Sequence, residues 1–444
     1  MKGLTGDQVA KVMGIPFTAE QQAAIVAPAD RAVQIVAGAG SGKTAVMAAR
    51  VVWLVGSGHV RPDEVLGLTF TNKAAGELAG RVRSALDRLA DHIGATRDDD
   101  LEPTISTYHA YAGALVREHG LRIGVEPDAR LLVDAVRFQL AGSVVRRYQA
   151  PLPHLHNALS ATLEALVNLE SECSDHLLDP RNVRRWLLDL AGRLDAIGDA
   201  AGQLPKSKMR VDHLRGAAET GRRNADLCLL VEAYRTAKRD RGAVDFGDQI
   251  VLAQRIAIEC PEVAKSERAR FRAVLLDEYQ DTSVAQRVLL VGLFGDGSGV
   301  TSVGDPCQAI YGWRGASVDN LVRFPQHFGG AERRTLRTSQ RSGGRLLSLA
   351  NQVAADLSAV HPVAELLARE DRAEIGRVVV ARYEDFATEL EGLATTLRAE
   401  IDDGVPAGEI AVLLRCWSNV GAVHAALVGA GVPVEVVGLG GLIA

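Results

Sequence analysis

Aromatic residues are scarce in this chain: Phe, Trp and Tyr make up 5% of its 444 residues. Its five cysteines, Cys173, Cys228, Cys260, Cys307 and Cys416, are scattered without a Cys-x-x-Cys pair. That distribution argues against a zinc site or iron–sulfur cluster built by this chain alone and fits reduced thiols. No apolar run approaches the roughly 18–20 residues that cross a bilayer. The N-terminus lacks the basic-then-apolar pattern of a secretory signal, so the reading is cytoplasmic, without a membrane partner. Neither sign of charge dominates, with 50 Lys and Arg against 55 Asp and Glu, for a net charge of −5. Composition therefore does not advertise nucleic-acid binding, although a basic groove can sit on a weakly acidic protein. There is no solenoid-type repeat and no long low-complexity segment.

What is present is an ordinary globular balance, 47% hydrophobic and 24% charged, over a length that predicts two to four domains. Thr18 to Ala27 reads as a short helix, Arg31 to Val36 as a buried strand, and Lys43 to Val55 as a helix after a Gly-rich turn. A second apolar strand, Val65 to Phe70, and a second amphipathic helix, Ala74 to Leu89, follow. That alternation predicts an α/β fold with parallel pairing and right-handed crossovers. Asp98, Asp99, Asp100 and Glu102 mark a solvated loop before a short strand at Thr104 to Ser106. From about Tyr111 to Gln249, helical spacing prevails and β-branched runs are rare, as in a mostly helical insertion. Strand character returns at Ala273 to Leu276 and Val300 to Val303, then at Arg377 to Ala381, Ile410 to Leu414 and Val432 to Val437.

The segment Ala37-Gly-Ala-Gly-Ser-Gly-Lys-Thr44 lies between a predicted strand and a predicted helix. Gly38, Gly40 and Gly42 let the backbone curl so that the N–H groups around Ala39, Gly40, Ser41 and Gly42 face phosphate oxygens. The helix N-terminus adds partial positive charge at the same place. Lys43 would reach the β- and γ-phosphates of ATP, and the Thr44 hydroxyl would ligate Mg²⁺. The usual pattern has Gly where Ala37 stands. The bland alternative is a Gly-rich strand–helix turn without a ligand. Asp277 and Glu278, directly after the apolar strand at 273–276, supply the carboxylates such a site needs: Asp277 to hold the metal, Glu278 to activate water. An Asp-Glu pair after a strand can also simply cap a helix.

The loop at 37–44, Asp277-Glu-Tyr-Gln-Asp-Thr282 and Val303-Gly-Asp-Pro-Cys-Gln-Ala-Ile-Tyr-Gly-Trp-Arg-Gly-Ala316 together resemble the UvrD/Rep family of superfamily 1 DNA helicases. The wording Leu66-Gly-Leu-Thr-Phe-Thr-Asn-Lys-Ala-Ala-Gly-Glu-Leu-Ala79 looks closest to AdnB-type helicase–nuclease subunits. The resemblance implies a P-loop RecA-like motor domain in two parts, 1–109 and 245–330, around a helical insertion at 110–244. It further implies an incomplete second RecA-like domain at 331–444. It implies an ATP-dependent translocase or helicase on single-stranded DNA, travelling 3′ to 5′, in DNA repair or recombination, with a helicase–nuclease partner subunit. By the same resemblance Gln21 reads the adenine edge, Gln308 senses the γ-phosphate, and Arg341 reaches it from the second motor domain. Gln21 read alone is equally a polar residue on a surface helix. Family members carry an arginine and an aromatic that sandwich the adenine. Here those positions are Ala45 and Gln340, so base stacking is expected to be weaker.

Helicases of this kind hold unpaired bases on aromatic faces, which requires no particular sequence. The candidates are Phe70, Tyr108, His109, Tyr311 and Trp313, with Arg314 for phosphate. Each aromatic alone could equally fill a core. The basic run from Lys206 through Lys208, Arg210, Arg215 and Arg222 to Arg223 is either a solvated helix face or a contact to nucleic-acid phosphates. The chain stops at Gly440-Gly-Leu-Ile-Ala444, where relatives continue, so a truncated motor with slow turnover is expected. The competing readings are a non-hydrolysing nucleotide- and DNA-binding scaffold, or another P-loop ATPase or kinase. The segment Tyr311 to Arg314 has no obvious use in a kinase.

Overall fold

The computed structural model describes residues 3–94, 101–155, 158–202, 208–295, 299–361 and 363–437, without the side chains of 201–202 and 208–210. The acidic triplet Asp98 to Asp100, Lys206, the side chains of Lys208 and Arg210, and the segment Gly440 to Ala444 therefore lie outside the described residues. Contacts divide the chain into two units, residues 1–376 and 377–444. The segment 331–376, assigned by sequence to a second motor domain, thus packs with the first.

The strands of the first unit, in chain order, are β1 (Val33–Ala37), β2 (Val65–Thr69), β3 (Thr104–Thr107), β4 (Arg130–Leu131), β5 (Ala243–Val244), β6 (Ala273–Leu276), β7 (Val300–Gly304), β8 (Glu332–Leu336), β9 (Thr338–Ser339) and β10 (Leu367–Ala368). The main sheet has the order β3-β2-β6-β7-β1-β8, and every pairing in it is parallel. Residues of β1, β2, β6 and β7 are buried throughout, as a sheet covered on both faces requires. Because the strands are parallel, their C-terminal ends share one edge, where ligands bind in open α/β sheets. β1 runs into the phosphate loop, β6 into Asp277 and Glu278, and β7 into Asp305.

One face of the sheet is covered by the helices Lys43–Gly56 and Asn72–Ile93, which share a core with Ile35, Val65 and Leu275. The other carries the helices Tyr108–His119, Phe246–Glu259 and Val284–Phe294, packed on Leu66, Leu68, Val274 and Leu276. The helical insertion has its own core, with Leu140, Leu166, Leu230 and Tyr234. Its chain enters and leaves beside the short parallel pair of β4 and β5.

The second unit contains the helices Phe386–Asp402 and Val420–Gly429, which bury Ala394, Val423, Leu427 and Val432 together. The strands expected at 377–381, 410–414 and 432–437 do not form: no ladder joins these segments among the described residues. Strand preference is realised only against a partner strand and a covering face. Here Val380, Leu413 and Val437 remain 88–92% exposed.

Candidate active site

The phosphate loop takes the expected shape. Gly40 (φ 74°) and Gly42 (φ 83°) lie in the left-handed region, which a residue with a Cβ enters only at a cost. Ser41 N–H donates to the Gly38 carbonyl at 3.1 Å, and Gly42 precedes the first turn of the helix that carries Lys43 and half-buried Thr44. Buried Ser41 Oγ has no hydrogen-bond partner among the described residues. Buried polar atoms are normally paired, and an unpaired hydroxyl in this loop fits an oxygen-rich ligand.

Lys43 Nζ lies 3.1 Å from Glu278 Oε2, which brings the loop and the carboxylate pair together. Asp277 is 5% exposed. Burial, and secondly the neighbouring charge of Glu278, push its carboxyl up to about 6, against the pull of Lys43. A divalent cation would relieve both causes, so the Asp277 carboxyl suits a cation beside it. Glu278 has φ 46° and ψ 44°, a strained conformation for a residue with a side chain. That turn leaves its N–H donating to Asp277 Oδ1 at 3.0 Å. Asp281 is raised to about 7, by burial first and by Glu278 second.

Gln21 is buried, and both ends of its amide are engaged. Nε2 donates to the Ser41 carbonyl at 2.8 Å and Oε1 accepts Thr18 N–H at 2.9 Å. It ties the helix Ala19–Ile25 to the phosphate loop and keeps one N–H and one lone pair for a base. Gln308 Nε2 donates to Asp305 Oδ2 at 2.7 Å, so its amide rests on β7's end rather than on Lys43. The segment that carries Gln340 and Arg341 lies over the loop: Gln340 N–H donates to the Gly40 carbonyl at 2.7 Å. A Cβ at Gly40 would stand 2.9 Å from Arg341 Cβ.

Beside this pocket the scarce aromatics gather. Phe70 stacks on Tyr311 with ring centroids 5.2 Å apart, and Tyr311 lies 6.5 Å from Trp313. The Arg314 guanidinium covers Trp313 at 4.6 Å, a favourable cation–π distance. Trp313 is 69% exposed, which leaves much of its ring open to a stacking partner.

A family model described as the UvrD/REP helicase N-terminal domain matches residues 17–329. The chain belongs to this family. It is 28% identical over 332 residues to DNA helicase II of Escherichia coli (strain K12), covering 75% of this chain and 39% of that protein. It is 30% identical over 432 residues to the ATP-dependent DNA helicase UvrD1 of Mycobacterium tuberculosis, covering 91% of this chain and 47% of that one. A probable DNA helicase II homolog of Mycoplasma capricolum is 28% identical over 335 residues, 75% of this chain and 40% of that protein. The chain thus spans 39–47% of the length of these relatives.

Within this helicase-family chain, one candidate base platform is corrected. Tyr108 is 3% exposed, and its hydroxyl donates to the Asp277 carbonyl at 3.0 Å. Its ring is core, and its hydroxyl braces the backbone at Asp277, so no face of the ring is open to a base. His109 is half-buried, packs edge-on against Phe246 at 6.0 Å and has its pKa lowered by burial. Within the basic run, Arg215 and Arg222 meet Asp199 and Asp195 of the helix Pro180–Gly202. Sequence reasoning passed over Arg50. It is 1% exposed, and donates to the carbonyls of Ala24, Ile25, Ala27 and Pro28 and to Thr301 Oγ1. Its cation closes the C-terminal end of the helix that carries Gln21.

Proposed function

We propose that this chain is the ATP-hydrolysing part of a motor that moves on single-stranded DNA. The observation that carries this is the 3.1 Å contact of Lys43 with Glu278, at the same sheet edge as the exposed Trp313 cluster. In this reading Lys43 turns from Glu278 to the β- and γ-phosphates, while the N–H groups of 39–42 hold their oxygens. Thr44 and Asp277 would hold a magnesium ion, which when bound would neutralise phosphate charge. Glu278 takes a proton from the attacking water as the new P–O bond forms and the bond to ADP breaks, releasing phosphate. Arg341 stabilises the charge that develops, and Gln308 reports it to the loop carrying Tyr311, Trp313 and Arg314. Phe70, Tyr311 and Trp313 grip bases by stacking, so turnover alternates grip and release.

The finer assignments belong to the same proposal. The chain's motor domain is residues 1–109 and 245–330, with the second motor domain represented in the segment after it. Movement is 3′ to 5′, the setting is DNA repair or recombination in the cytoplasm, and the protein is an AdnB-type subunit with a helicase–nuclease partner. The wording of 66–79 supports the subfamily. The test is binding of a fluorescent ATP analogue and of single-stranded oligonucleotide, with phosphate release followed in parallel. The proposal expects wild type to bind both and turn over ATP, and Lys43→Ala to lose turnover with DNA binding retained. Binding of both without any turnover would leave a scaffold instead.

A further inference from the structure

The Trp313 loop is fastened at both ends to the short segment that begins at Glu278. At the near end, Gln280 is 1% exposed and its amide is used in two directions. Nε2 donates to Glu278 Oε2 at 2.8 Å and to Asp281 Oδ2 at 3.2 Å. Oε1 accepts Asp305 N–H at 3.1 Å, and Asp305 in turn holds Gln308. At the far end, Ser317 N–H donates to the Thr282 carbonyl at 3.0 Å, and Ser283 bridges to Ala316. The stretch 305–317, with Gln308, Tyr311, Trp313 and Arg314 in it, is therefore spanned by residues 280–283. The fit at Gln280 is tight: a Cβ at Gly304 would stand 2.7 Å from Gln280 Oε1.

Glu278 Oε2 is shared between the Lys43 ammonium and the Gln280 amide. Once Lys43 turns to phosphate, the amide is the donor left on that oxygen. We propose that Gln280 is a positioning residue that holds Glu278 in line and passes its movement to the base-gripping loop, so that occupancy of the DNA track sets the rate of hydrolysis. This rests on the motor reading above. A hydrogen-bonded amide suits the role because it donates to one partner and accepts from the other without carrying charge, and buried polar links of this kind are costly to break.

Two variants separate the two directions. Gln280→Met removes donor and acceptor at similar volume. Gln280→Glu keeps an acceptor for Asp305 N–H but sets a like charge against Glu278. Amide hydrogen exchange, which needs neither ATP nor DNA, should show the Asp305 amide exchanging at least about tenfold faster in Gln280→Met, as loss of one buried hydrogen bond implies, and unchanged in Gln280→Glu. In ATPase assays with and without single-stranded oligonucleotide, both variants should lose about tenfold or more of the ratio of stimulated to basal turnover, with KM for ATP within about threefold of wild type. A purely structural role would lower melting temperature and both rates together, ratio intact. That outcome, an unchanged ratio, or an Asp305 amide no faster in Gln280→Met, would overturn the proposal. Wild type without DNA stimulation would instead sink the motor reading, and the coupling role with it.

Discussion

At the residue scale the account turns on two adjacent carboxylates given different work by their surroundings. Asp277 is buried, and that burial first and Glu278 second push its carboxyl up to about 6. Glu278 is held out by a left-handed backbone turn and meets Lys43 and Gln280. Glu278→Gln keeps the shape and removes the base. Steady-state turnover should fall by about 10²–10⁴-fold while affinity for an ATP analogue stays near wild type. Equal loss of binding and turnover would show that Glu278 serves the phosphate loop's shape rather than the chemistry. That Lys43 and this pair come together was legible in the sequence because each lies in a contiguous motif next to a predicted strand. Gln280 lies in the same stretch, yet its partner at Asp305 is 25 positions away, and no local pattern shows which amide faces which loop.

At the scale of elements, the turn after β7 and the start of the helix Tyr108–His119 show how similar residues take unlike roles. Both carry aromatics beside nucleotide motifs, and the sequence offered both as base platforms. The first leaves Trp313 in solvent beneath Arg314. The second turns Tyr108 inward to the Asp277 carbonyl, 169 positions along the chain. Trp313→Ala should weaken binding of single-stranded oligonucleotide by about 1–3 kcal/mol, as loss of a stacking surface does. Tyr108→Phe should leave that affinity unchanged and lower stability by about 1 kcal/mol. Fluorescence anisotropy with a labelled oligonucleotide, beside urea unfolding, separates the two; equal effects on affinity would contradict the assignment. Five of the six strands of the first sheet, and the helices after β1 and β2, were readable from apolar runs and helical spacing; the edge strand β8 was not. The apolar segments of the second unit were not, because a strand depends on neighbours that its own sequence does not specify.

At the scale of the whole molecule, the helical insertion and the loop that carries Trp313 meet where a Cβ at Gly315 would stand 2.4 Å from Asp175 Cβ. Asp175 is raised from 3.8 to about 7, by burial first and then by Glu172, Glu170 and Asp245, with Arg137 opposing. Its folded pKa is above its unfolded one, so the folded state binds more protons between those values. Its contribution is thus most favourable at acid pH and is lost as pH rises from 3.8 towards about 7. Asp175→Asn removes that loss, so its stability advantage over wild type should grow to a few kcal/mol by about pH 8. Urea unfolding of the two proteins at several pH values reads this directly. A constant difference across pH would place the carboxylate in water. Nearby, Glu170, Asp245 and Asp248 cluster closely enough to suggest a metal, but the Lys238 ammonium sits among them at 2.7–3.1 Å. It already supplies the cation.

The most direct test of the motor itself is the rate of phosphate release by the wild-type chain as single-stranded oligonucleotide is added. The account predicts a saturating rise that disappears in Lys43→Ala and is blunted in Trp313→Ala. A rate that is indifferent to DNA, or equal in wild type and Lys43→Ala, would contradict it.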